Sequence, residues 1–135
     1  MNICEALERI RPIGKVTCAT FHGSQITDRK SQTKKLGYRP LSDSFWIPIS
    51  EIEAEALLVQ SISSHIEDDE RILDEDEVKP IIASFIRMFP KDTKFFTNFD
   101  GGFECISHSY LDIAVTMENE NGVVGFVCIE DDQAP

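Results

Sequence analysis

Asn121-Gly122 stands between two apolar runs, Leu111 to Glu120 and Val123 to Glu130. Asparagine and glycine both accept the left-handed backbone of a tight turn, so this dipeptide between two such runs predicts an antiparallel hairpin. A two-residue turn there sets Met117 opposite Phe126 and Val115 opposite Cys128, with Thr116 opposite Val127 and Ala114 opposite Ile129. Apolar side chains then point to both faces of the ribbon. That places it centrally in a sheet, with helices over one face and another segment, such as a loop, over the other. Two further segments rich in Phe, Ile and Thr, Lys94 to Phe99 and Phe103 to Tyr110, are divided by the turn former Asp100-Gly101-Gly102 and extend the hairpin to a meander.

Helices are expected upstream. Asn2 and Glu5 have capping-box spacing, and Ile3, Leu7 and Ile10 share one face of a short helix that Pro12 stops. A strand follows at Lys15 to Phe21, where Val16 and Cys18 alternate with Thr17 and Ala19. Ser50 and Glu53 form a second capping box. Behind it Ile52, Ala56, Val59, Ile62 and Ile66 recur at helical spacing, with Leu57 and Leu58 widening the stripe. Val78, Ile81, Ile82, Phe85, Ile86 and Phe89 trace another apolar stripe, with Pro80 near its first turn and Pro90 at its end. Between these parts, about 22–44 shows no periodicity, and its cations Arg29, Lys30, Lys34, Lys35 and Arg39 read as a long, basic, solvated loop. Phe45 to Ile49 reads as a short strand whose Pro48 suits a sheet edge.

These elements predict an α+β fold, a C-terminal antiparallel β-meander with two or three amphipathic helices packed on the sheet. A chain of 135 residues, 41% hydrophobic with nine Phe, suffices for a single globular domain over residues 1–135 without metal or disulfide support. The net charge of −11 repels phosphate backbones and anionic membrane surfaces, which argues against nucleic acid and membrane as partners and for a basic protein. Cys4, Cys18, Cys105 and Cys128 have no framework spacing, no apolar leader opens the chain, and no run is long enough to span a bilayer. The expectation is a cytoplasmic protein with reduced thiols.

Signatures of catalysis are lacking. Cys105 and His108 lie three apart, so on a strand they point to opposite faces and cannot act as nucleophile and base. His22, His65 and His108 have no paired metal-ligand spacing. Asp100-Gly101-Gly102 joins two expected strands and opens no helix, so it is a turn and not a phosphate cradle. The sequence therefore predicts no enzyme, and no catalytic residue, cofactor or metal is assigned.

One stretch stands out. From Glu67 to Glu77 eight of eleven residues are carboxylates, interrupted by Arg71, Ile72 and Leu73. Neither Asp68 nor Asp74 starts a calcium loop, because both registers lack the sixth-position glycine and the twelfth-position glutamate. Eight like charges repel one another, and Ile72 and Leu73 offer an apolar anchor, so the run reads as an anionic surface held against the fold. Glu118, Glu120, Glu130, Asp131 and Asp132 suggest a second acidic group. The partner-binding residues expected are thus Glu67, Asp68, Asp69, Glu70, Ile72, Leu73, Asp74, Glu75, Asp76 and Glu77.

In its size, in the Glu67 to Glu77 run and in lacking a catalytic signature, the chain resembles the immunity proteins of bacterial toxin systems, including those of contact-dependent inhibition. That resemblance implies a small cytoplasmic protein that binds and blocks a cognate toxin domain, frequently a nuclease whose own site is basic. A regulatory adaptor or assembly subunit that binds a basic cellular protein is the alternative. A small enzyme with an unrecognised carboxylate or cysteine site stands third.

Overall fold

The computed structural model describes residues 2–21, 28–99, 105–107, 111–120 and 122–131. The two apolar runs form β4 (Leu111–Asn119) and β5 (Gly122–Asp131), joined by β1 (Lys15–Thr20), β2 (Ile47–Ile49) and β3 (Lys94–Thr97) in one antiparallel sheet ordered β1-β5-β4-β3-β2. The meander β3-β4-β5 fills the centre, and the two N-terminal strands close its sides. Pro48 lies on β2, at an edge, where a missing N–H is tolerated. The fold is α+β, as the pattern predicts. The Asp100-Gly101-Gly102 turn and His108 lie outside the described residues, and residues 105–107 between them are not strand.

The hairpin register differs from the expected one by one residue. Met117 pairs with Gly125, Thr116 with Phe126, Val115 with Val127 and Ala114 with Cys128, while Glu118 pairs with Val123. Val124 is therefore an extra residue on β5, a bulge whose carbonyl accepts the amide of Phe21 at 3.0 Å. Because side chains alternate, a one-residue difference reverses every facing partner. Met117 and Phe126 lie on opposite faces of the sheet, in different cores. The bulge brings Gly125 under Phe89, where a Cβ would stand 2.6 Å from the ring. Only glycine fits there.

One face of the sheet carries α1 (Ile3–Ile10), α3 (Glu51–Ser63) and α4 (Glu75–Ile86). Leu7, Leu58, Ile62, Val78, Ile82 and Phe85 are fully buried against Val115, Met117, Val127 and Ile129. Each such side chain contributes about 1.5–3 kcal/mol by leaving water. The stripe on α3 holds at Leu58, Val59 and Ile62, which are buried, but fails at its start, where Ile52 is 78% exposed and Ala56 also faces solvent. Buried Ala54 takes the inner place there. Pro80 is the sixth residue of α4, beyond its first turn, so it removes an internal amide donor that the sequence pattern treats as terminal.

Both N-caps form, but only the one on α3 is a full capping box. The Asn2 side chain accepts the Glu5 amide at 2.8 Å. On α3 the Ser50 hydroxyl accepts the Glu53 amide at 3.1 Å, and the Glu53 carboxylate accepts the Ser50 amide at 2.9 Å. Ser50→Ala is expected to cost about 1 kcal/mol, measured as a lower urea midpoint with unchanged slope. The amide and hydroxyl of Ser50 hold the Glu53 carboxyl below its ordinary value. A depressed carboxylate stabilises the fold above its unfolded pKa and loses that effect as pH falls through the folded value. The loss in Ser50→Ala should accordingly shrink in acid.

The opposite face overturns the expected structureless loop at 22–44. Its described part contains α2 (Arg29–Lys35), capped by Asp28, and a 3-10 turn at Asp43–Phe45. Tyr38, Leu41 and Trp46 bury themselves against Ile106, Ala114, Phe126 and Cys128 as a second core. Arg29 secures the helix, with its guanidinium 4.2 Å from the centre of the Phe96 ring and 2.9 Å from Glu118. No apolar stripe advertises α2, because it docks through a cation.

Candidate functional site

The acidic run divides into two structures with different reasons for their charge. After α3 the chain turns tightly. Ser64 bridges Arg71, the His65 amide donates to the Glu70 carbonyl at 2.8 Å, and Asp69 adopts a φ of +59°. Glu67, Asp68, Asp69 and Glu70 are all exposed on this turn. Asp68 accepts the Glu70 amide at 3.0 Å and Asp69 accepts the Gln60 side chain at 3.0 Å, so two of the four carboxylates also shape the turn.

The other half of the run is the start of a helix. Asp74 is the N-cap of α4, accepting the Asp76 amide at 2.9 Å, and Glu75, Asp76 and Glu77 form its first turn. Negative charge there meets the positive end of the helix dipole, with about 0.3–1 kcal/mol per favourable placement. Arg71 lies 3.5 Å from Glu75 and Lys79 lies 4.0 Å from Asp76, both well exposed to solvent and worth little. The helix end, more than these ion pairs, favours the charge from Asp74 to Glu77.

What anchors the connection is not the expected Ile72 and Leu73 pair alone. Leu73 and Ile66 pack against the helix-side core, while Ile72 is half-buried. The firmer tie is Arg11, whose side chain is 1% exposed and forms an ion pair with Asp131. Its guanidinium also donates to the carbonyls of Ser64 at 2.8 Å and Glu130 at 3.2 Å. Asp131 in turn accepts the Ile66 amide at 2.8 Å. The C-terminal end of α1, the start of the acidic turn and the end of β5 therefore meet at one buried charge pair. Gly14 permits this meeting, with a φ of +65° and no room for a Cβ beside the Glu130 carbonyl and Arg11.

The second acidic group expected at the meander does not form one surface. Glu118 is held by Arg29 and by the Thr116 hydroxyl at 2.8 Å, and burial, working against these two contacts, raises its carboxyl above the usual range. Glu130 is buried and accepts the Tyr38 hydroxyl at 2.9 Å. Asp131 serves Arg11. Only Glu120 is exposed, and Asp132 lies outside the described residues. Sequence alone does not separate a carboxylate facing water from one facing a buried donor when both sit at the end of a strand.

Beside the acidic turn, α3 and α4 leave an open groove of about 550 Å³ lined by Ile52, Ala56, Val59, Pro80 and Ala83, with Glu55, Glu75 and Lys79 along it. Among the described residues no cluster of His, Cys, Asp or Glu is placed to hold a metal ion, and no helix is long and apolar enough to cross a membrane. No protein-family model matches the chain, and no curated protein or solved structure matches it significantly.

Proposed function

We propose that this protein binds a basic partner protein and occludes it without catalysis, and that the partner is a toxin domain of nuclease type for which this chain is the immunity protein. The observation that carries the reading is the acidic turn itself: four exposed carboxylates, Glu67 to Glu70, on a backbone tied to the core by Arg11 and Asp131. A rigid anionic surface steers cationic proteins and loses little entropy when it meets them. Carboxylates on the turn and the first turn of α4 would pair with Lys and Arg of the partner, in the places its substrate phosphates occupy. The apolar contact falls to the groove of Ile52, Ala56, Val59, Pro80 and Ala83 in place of Leu73, which faces the core.

Glu70 and Glu77 provide the cleanest test, since both are exposed and their side chains neither cap α4 nor close the turn. The basic protein encoded beside this chain's gene is expected to associate with it rapidly at low salt, and more slowly as salt rises. Glu70→Lys combined with Glu77→Lys should slow that association by about tenfold or more, with urea stability little changed. Binding that ignores both salt and the double charge reversal would sink the proposal. Binding of the same character to a partner with no toxic activity would favour the regulatory adaptor.

A further inference from the structure

We infer that Cys4 and Cys18 form a thiol-modification site that reacts with small-molecule disulfides and closes to an intramolecular disulfide between α1 and β1. Cys4 stands on the first turn of α1 and Cys18 in the middle of β1, and their sulfurs are 2.7 Å apart with Cys18 donating to Cys4. Both are free thiols. Two thiol sulfurs this close are already inside their ordinary contact distance, so α1 and β1 hold them near enough to bond. The two elements are already fixed against each other, since Leu7 and Val16 share a core and the Cys18 amide donates to the Glu8 carboxylate of α1 at 3.3 Å.

Access and polarity distinguish the two sulfurs. An open groove of about 530 Å³, lined by Asn2, Ile3, Ala19, Thr20 and the exposed Met88, reaches both cysteines. Cys4 is the more exposed of the pair. Burial pushes both thiols up, but the hydrogen bond from Cys18 favours the thiolate of Cys4 and disfavours that of Cys18. Cys4 is therefore the attacking sulfur. Its thiolate displaces one thiol from the small disulfide and forms a mixed disulfide. Cys18, its proton passing to the thiolate first released, then attacks the Cys4 sulfur and expels the second thiolate, which takes a proton from water. Two protein thiols are oxidised and one small disulfide is reduced to two thiols. Cys128 is fully buried on the other side of the sheet.

Incubation of the folded wild-type protein with oxidised glutathione, followed by digestion without reductant and mass spectrometry, tests this. The expected product is a Cys4–Cys18 cross-linked peptide, formed faster at higher pH, with no glutathione retained. Closing this 15-residue loop should raise Tm by roughly 10 °C. Cys18→Ser should trap glutathione on Cys4. A lasting glutathione adduct on wild-type Cys4, or a treatment that leaves both Cys4 and Cys18 as free thiols, would overturn the inference. Neither result bears on partner binding, which is measured separately.

Discussion

Arg11→Met is expected to destabilise the protein by roughly 3–5 kcal/mol, because it strands the Asp131 carboxylate beside buried carbonyls that have lost their donor. Against a typical total of about 5–15 kcal/mol, that is a large fraction. Urea denaturation measures the loss. Hydrogen exchange should show it concentrated where Ile66, Ile72 and Leu73 donate their amides, since these close the acidic turn. Adding Asp131→Leu to Arg11→Met should return part of the stability, because an apolar pair leaves no buried charge. If the single variant were as stable as wild type, the buried pair would not be what fixes the turn.

Asp112→Ala should cost about 3–4 kcal/mol, for a different reason. Asp112 is fully buried at the start of β4 and accepts the Asn98 side chain at 2.8 Å, the amides of Ile106 and Ser107 at 3.0 and 2.8 Å, and the Ser107 hydroxyl at 2.6 Å. Truncation removes the acceptor that these donors share. The second core should loosen with it, since Ile106 packs there with Trp46 and Phe126 and its carbonyl accepts the Arg39 amide at 2.7 Å. Quenching of Trp46 fluorescence by acrylamide in the folded state would rise. Asp112→Asn should lose less, because its carbonyl keeps part of the acceptor capacity.

The elements were legible in the sequence wherever one local rule dominated. The N-cap at Asn2, the capping box at Ser50, the stripe from Val78 to Phe89 and the Asn-Gly dipeptide each announce a structure through neighbouring residues alone. The hairpin register was not legible, because the Val124 bulge answers to Phe89 and Phe21, which approach from elsewhere in the chain. Helix α2 escaped for a related reason. Its docking depends on Glu118 and Phe96, far away in sequence, and its own residues carry no apolar period.

The acidic run shows the same division. Its exposure and its place between two helices follow from its composition and flanks. Its rigidity does not, since Arg11 and Asp131 are 120 positions apart and neither looks unusual in the linear sequence. Nor does the sequence show which carboxylates face inward. Glu118, Glu130 and Asp131 read like the others until a buried donor stands opposite each.

The strand order carries a consequence for synthesis. β1 pairs with β5 from Lys15 with Glu130 to Thr20 with Gly125, so the first strand made waits for the last. Until β5 has emerged from the ribosome, β1 has no strand to pair with and Arg11 has no counter-ion. The emerging chain can assemble helices early, but both cores must form late and together, because β5 is a wall of each.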